Sequence, residues 1–118
     1  MKALVLTAIG QDLEILDVEE PTLEPDSAII RVKANGICRS DWHLWQGDWA
    51  WLGLELPLPH VMGHEFSGVI EQVGDQVTRW KVGDRVIVPH AHGCGSCDFC
   101  LNGFTNVCAN VSFAGTNY

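Results

Sequence analysis

The stretch Phe66–Pro89, FSGVIEQVGDQVTRWKVGDRVIVP, decides the fold. Two runs rich in β-branched residues, FSGVIEQVGDQV and KVGDRVIVP, carry turn chemistry at Gly74-Asp75 and Gly83-Asp84. That pattern predicts strands joined by tight turns. Upstream, KALVLTA, LEILDVEEP and SAIIRVKANG repeat it, punctuated by Pro21 and Pro25 and closed by Asn35-Gly36. Between the two β-rich blocks lies CRSDWHLWQGDWAWLGLELPLPH, Cys38–His60, with four of the five tryptophans. Ser40 and Asp41 suit a helix beginning there. No strand is followed by G-x-G-x-x-G, since Gly93 and Gly95 begin such a pattern but Asp98 stands at its third glycine. The expectation is a mainly β chain, a small barrel or partly open β-structure carrying two functional loops. A dinucleotide-binding domain is not encoded in these 118 residues.

Charge and composition narrow the partners. Seven basic against fifteen acidic residues leave a net charge of -8, which repels nucleic acid and anionic membrane surfaces. No apolar run reaches the length of a membrane span. The opening MKALVLTAIG imitates a secretion signal, but Gln11, Asp12 and Glu14 cut its apolar run short, so a first strand is the better reading. A cytoplasmic setting is expected, where thiols stay reduced.

Four of the five cysteines fall within fifteen positions of HGCGSCDFCLNGFTNVC: Cys94, Cys97, Cys100 and Cys108, spaced C-x2-C-x2-C-x7-C. Two-residue gaps let neighbouring sulfurs fold back toward one point. Four thiolates suit a closed, structural zinc site with no position left for a substrate. An iron–sulfur cluster also uses four cysteines, although the spacing matches neither common ferredoxin run. Disulfides are the third reading, and a reducing compartment argues against them.

A second constellation pairs Cys38, in GICRSDWH, with His64, in MGHEFSGVIEQVG. Taken singly, each is more often a packed core residue than a ligand. Both follow glycine-bearing turns, however, and each is attended by a carboxylate, Asp41 or Glu65, of the kind that orients a metal-bound imidazole.

Together, GICRSDWH, GHEFSGVIEQVG, VGDRVIVP and the four-cysteine loop, in this order, resemble the N-terminal catalytic domain of zinc-dependent medium-chain alcohol dehydrogenases, a family that includes threonine and polyol dehydrogenases. The resemblance runs from Met1 to about Cys108 and implies a GroES-like β-barrel fold. It implies that Cys38, His64 and Glu65 hold a catalytic zinc, and that Asp41 hydrogen-bonds His64. By the same resemblance Ser40 takes the alcohol proton and His43 passes it to solvent through the cofactor ribose. Arg39 matches a position that contacts the cofactor pyrophosphate in some members, so Arg39, Ser40 and His43 are the expected cofactor contacts. The implied activity is interconversion of a small-molecule alcohol with its aldehyde or ketone, with hydride transfer to NAD or NADP. The alternative is a non-catalytic zinc-binding GroES-like module.

In the family a further strand, the last common zinc ligand and a Rossmann domain come later. Residues 1–118 are therefore expected to be a truncated GroES-like domain, incomplete at the C-terminus, without the Rossmann cofactor domain. Its catalytic zinc is expected to be partial or absent. Open β-edges lead to the expectation of a homo-oligomer. The tryptophan-rich insert is expected to line part of a substrate cleft. His60, His90 and His92 are expected in surface or loop roles.

Overall fold

A computed structural model describes residues 1–53 and 57–114. The tail AGTNY and the Leu54–Leu56 part of the tryptophan-rich insert lie almost wholly outside the described residues. The chain begins with strands β1 (Lys2–Leu6), β2 (Glu14–Asp17) and β3 (Ala28–Asn35), which match the three upstream runs. Helix α1 (Arg39–Gln46) follows, then a 3-10 turn at Ala50–Leu52 and the short strand β4 (His60–Val61). Strands β5 (Phe66–Val73) and β6 (Arg85–Val88) come from the stretch that opened the sequence reading. The chain then enters the cysteine-rich lobe, which holds β7 (Ala91–His92), the four-residue helix α2 (Asp98–Leu101), a 3-10 turn at Thr105–Val107 and β8 (Ser112–Phe113).

All strand pairings among the described residues are antiparallel. One sheet has the order β2-β1-β4, a second β3-β5-β6, and β7 pairs with β8. The mainly β, partly open architecture expected from the sequence is what the chain adopts. Outer strands β2, β4, β3 and β6 leave edges that no other strand closes among the described residues. No described helix is long and apolar enough to cross a membrane.

The body is a slab of 42 × 33 × 21 Å, and a slab so thin has little interior. Val5 and Leu6 of β1, Met62 after β4, Ile70 of β5, Cys108 and Ala114 are its buried apolar residues among those described. Strand β6 alternates as a half-buried strand should, but its outward position Ile87 is apolar and 84% exposed. A wide apolar surface is thus left uncovered on this sheet.

Register is what positions the site. Asn35 opposes Phe66, and Phe66 opposes Val88, so the end of β3, the start of β5 and the end of β6 meet at one rim. The residues just beyond those three ends are Cys38, His64 with Glu65, and His90. The Gly36 amide donates to the Glu65 carbonyl at 2.7 Å and ties two of the loops together. Gly63 has φ +95°, and a Cβ there would lie 1.8 Å from Asn35 Nδ2. Only glycine lets the chain turn under Asn35 and carry His64 inward.

Two donor clusters form the candidate metal centre

At the rim, helix α1 starts immediately after Cys38. The sequence suggested Ser40 and Asp41 as the helix beginning; the helix does form, but its N-cap is Cys38 and Asp41 occupies the third helical position. Asp41 Oδ2 accepts from the Cys38 amide at 2.8 Å, the return contact that an acidic residue at that position makes to a capping residue. Its other oxygen accepts from the Gly63 amide at 3.3 Å and lies 3.3 Å from His64 Nδ1. One carboxylate therefore clamps both loops. Asp41 is the buried polar residue of the described chain, and burial is tolerable because its oxygens are satisfied.

His64 thus turns Nδ1 toward Asp41 and Nε2 inward toward Ser40, the orientation a metal-binding imidazole needs. Ser40 Oγ lies 2.9 Å from that nitrogen and 3.0 Å from the Cys38 sulfur. The hydroxyl and amide of Ser40, followed by His64, draw the Cys38 thiol below its ordinary range, against the opposing effects of desolvation and the Glu65 charge. The donor atoms of Cys38, His64 and Glu65 all lie within 4.8 Å of one another. Sulfur, imidazole and carboxylate are zinc-type donors, and three protein donors leave a fourth position open. The residues present fit such an ion.

Of the other expected contacts, Arg39 opens α1 and is exposed, and His43 lies one turn further on the same helix. His43 Nδ1 meets Asp48 Oδ2 at 2.7 Å, a partner the sequence reading did not identify. His90 reaches the rim with its ring edge-on to His64, centroids 6.4 Å apart, and is stacked on Phe113. A cavity of about 470 Å³ opens beside the cluster, lined by Asn35, Gly36, Glu65, Phe66, Ile87 and His90 among others. The tryptophans of the insert do not share one wall: Trp42 pairs with Trp45, whose indole donates to the Gln11 carbonyl, Trp49 flanks His43, and Trp51 is 81% exposed. His60, in β4, is half-buried, and desolvation holds its imidazole below the usual range.

The second cluster is local in the chain. Cys94, Cys97, Cys100 and Cys108 place four sulfurs within 4.8 Å of one another, all free thiols. Cys97 and Cys108 stand 3.8 Å apart. Tetrahedral zinc with Zn–S bonds of about 2.3 Å requires neighbouring sulfurs about 3.8 Å apart, so the spacing fits. The Cys108 sulfur, buried, accepts from the amides of Cys94 at 3.4 Å and Asn110 at 3.3 Å. Helix α2 begins right after Cys97 and presents Cys100 one turn on. The Ser96 amide and hydroxyl, with the Cys97 amide, bring the Cys94 thiol down to about 6. Cys100 is pushed up to about 12: the Gly95 amide lowers it, but desolvation and the neighbouring sulfurs outweigh that contact. Sulfurs this close cannot all ionise without a cation among them.

A small antiparallel β-domain that gathers one set of four thiolate donors and one mixed set of sulfur, imidazole and carboxylate belongs to the class of metal-binding β-domains. The comparisons narrow that class: residues 24–117 match the alcohol dehydrogenase GroES-like domain, and the chain belongs to that family. It is 41% identical over 116 residues to an alcohol dehydrogenase of Geobacillus stearothermophilus, covering 98% of this chain and 34% of the relative. An L-threonine 3-dehydrogenase of Rhizobium etli is 41% identical over 117 residues, with 99% and 34% covered. The cobalt- and zinc-bound thermostable alcohol dehydrogenase of Pyrobaculum aerophilum superposes with a TM-score of 0.85 at 32% identity, covering 98% of this chain and 35% of that one. The chain spans about a third of the length of the curated relatives it matches.

Proposed function

We propose that this chain is the catalytic-domain part of a zinc-dependent oxidoreductase that oxidises a small alcohol to its aldehyde or ketone and passes hydride to NAD or NADP. The observation that carries the reading is the Ser40 hydroxyl, set 3.0 Å from the Cys38 sulfur and 2.9 Å from His64 Nε2. Three donors leave a coordination position open at this cluster, and the hydroxyl stands beside it.

Cys38, His64 and Glu65 are the residues that would hold the catalytic zinc, which when bound supplies Lewis-acid polarisation of the alcohol oxygen. Asp41 orients His64 and anchors the Cys38 loop. Ser40 takes the alcohol proton as it gives up its own, and His43 passes that proton on to solvent. Arg39, exposed at the start of α1, would meet the cofactor pyrophosphate. The cavity beside Glu65 admits the substrate. Cys94, Cys97, Cys100 and Cys108 hold a second zinc that stabilises the lobe and takes no part in the chemistry.

The test is metal content together with hydride transfer, measured on the longest protein that carries this chain. About two zincs per chain and NAD(P)-linked oxidation of simple alcohols are expected. One zinc, released only on unfolding, with no turnover, identifies a non-catalytic zinc module instead.

A further inference from the structure

The His43–Asp48 contact has no place in the scheme above, and it is built with care. Helix α1 ends at Gly47, which adopts φ +75°. That left-handed turn lets the Asp48 amide donate to the His43 carbonyl at 2.9 Å, folding the chain back along the last helical turn. The turn is held from outside as well. The Gly10 amide donates to the Trp45 carbonyl at 2.7 Å, and a Cβ at Gly47 would lie 2.9 Å from Ile9 Cγ2. The Asp48 carboxylate is thereby delivered to His43 Nδ1 at 2.7 Å, while the Trp49 ring stands beside the imidazole, tilted by 34° with centroids 6.0 Å apart.

A neutral imidazole carries one N–H, and an ionised carboxylate only accepts. A 2.7 Å contact between them therefore requires the hydrogen on Nδ1 and leaves Nε2 with a free lone pair. Histidine in water prefers the opposite tautomer. We propose that Asp48 is a positioning residue for the proton relay, holding His43 in the Nδ1–H tautomer so that Nε2 alone receives the proton leaving Ser40. The inference rests on the functional reading above. Each turnover balances: Ser40 gains the alcohol proton and loses its own, His43 Nε2 takes that proton and releases it to water, and Nδ1–H stays with Asp48 throughout. Hydrolase triads place a buried carboxylate behind their histidine for the same end; Asp48 stands there from an exposed position.

Long-range 1H–15N spectra of the zinc-loaded chain, labelled at histidine, test the tautomer directly. The Nδ1–H pattern is expected for His43, reverting to Nε2–H in Asp48→Ala and persisting in Asp48→Asn, whose amide oxygen still accepts. An Nε2–H pattern in the unaltered protein, or one unchanged by Asp48→Ala, overturns the proposal. Asp48→Asn also serves if Asp48→Ala does not fold; loss of the Nδ1–H tautomer in that variant overturns it too. In the longest protein carrying this chain, Asp48→Ala is expected to lower kcat about tenfold with KM for the alcohol unchanged, within the range of general acid–base effects. In a His43→Ala background the same change is expected to cost nothing further, and a second full tenfold loss overturns the proposal. An inactive parent enzyme would instead refute the functional reading, and with it the relay role. An active enzyme with His43 in the wrong tautomer would refute only the part given to Asp48.

Discussion

The two donor clusters of this chain solve opposite problems. The four-cysteine lobe draws its sulfurs from fifteen consecutive positions, and its few short elements are folded around them. The rim cluster draws its donors from loops 26 residues apart, and rigid strand ends with a buried carboxylate hold them. In the lobe four equal donors close on one point; at the rim three unlike donors leave a gap, and a serine hydroxyl stands in it. The rim is assembled by the ends of β3, β5 and β6, whereas the lobe has few elements beyond its own sulfurs. In the proposed reading the lobe's ion supplies stability and the rim's ion reactivity.

The largest effect expected from that contrast is on the lobe. Cys97→Ser removes one of four thiolates from a site of the kind whose binding supplies about 10–16 kcal/mol of folding free energy in small zinc modules. One zinc should be lost and the lobe should unfold, seen as early cleavage by protease between residues 93 and 111. A lobe that stays protected without its metal breaks the comparison.

Cys38→Ser should do the reverse. Structural zinc and thermal midpoint stay close to those of the parent, while hydride transfer in the longest protein carrying this chain falls on the order of a thousandfold, the scale of several kcal/mol of Lewis-acid assistance. A variant with nearly full turnover would remove the rim from the chemistry.

Asp41→Ala tests the clamp between these extremes. The Cys38 and Gly63 amides lose their acceptor, at a cost of about 1–3 kcal/mol in stability. His64 loses the partner that orients it, and zinc affinity at the rim should fall roughly 10- to 100-fold. Denaturant melts and competition with a chelator measure the two effects separately. A loss of lobe zinc instead would show that the clusters are not independent.

The smallest effect is in proton counting. At pH 8 the Cys94 thiol, brought down to about 6, is already ionised, whereas Cys100, pushed up to about 12, still holds its proton. Zinc uptake by the lobe should therefore release protons from Cys100 but not from Cys94. Because protons leave as the metal binds, affinity should rise with pH and weaken as pH falls through about 6, where Cys94 also becomes protonated. Calorimetry in buffers of different ionisation enthalpy gives the proton number, and zero release at pH 8 contradicts this account.

Much of this was legible in one dimension. Strands β1, β2, β3, β5 and β6 coincide with the β-branched runs, because alternation and turn residues act over neighbouring positions. The four-cysteine lobe was equally plain, since donors so close in sequence can converge with little help. Strands β4, β7 and β8 were not foreseen: two residues each give no periodicity to read, and their pairing depends on partners far along the chain. The helix beginning was placed at Ser40 and Asp41 because both are common caps, yet Asp41 is drawn inward to the Gly63 loop and Ser40 to Cys38 and His64. Asp41 still caps the helix through the Cys38 amide, from its third position rather than from its start.

Donor types and their spacing in the lobe were set by the amino-acid sequence alone, because the chemistry of thiolates and short loops is local. How close Cys38, His64 and Glu65 come, the burial of Asp41 behind them, and the contact of His43 with Asp48 were decided only in three dimensions. The physical reason is register: antiparallel pairing of Asn35 with Phe66 and of Phe66 with Val88 brings three distant loops to one rim.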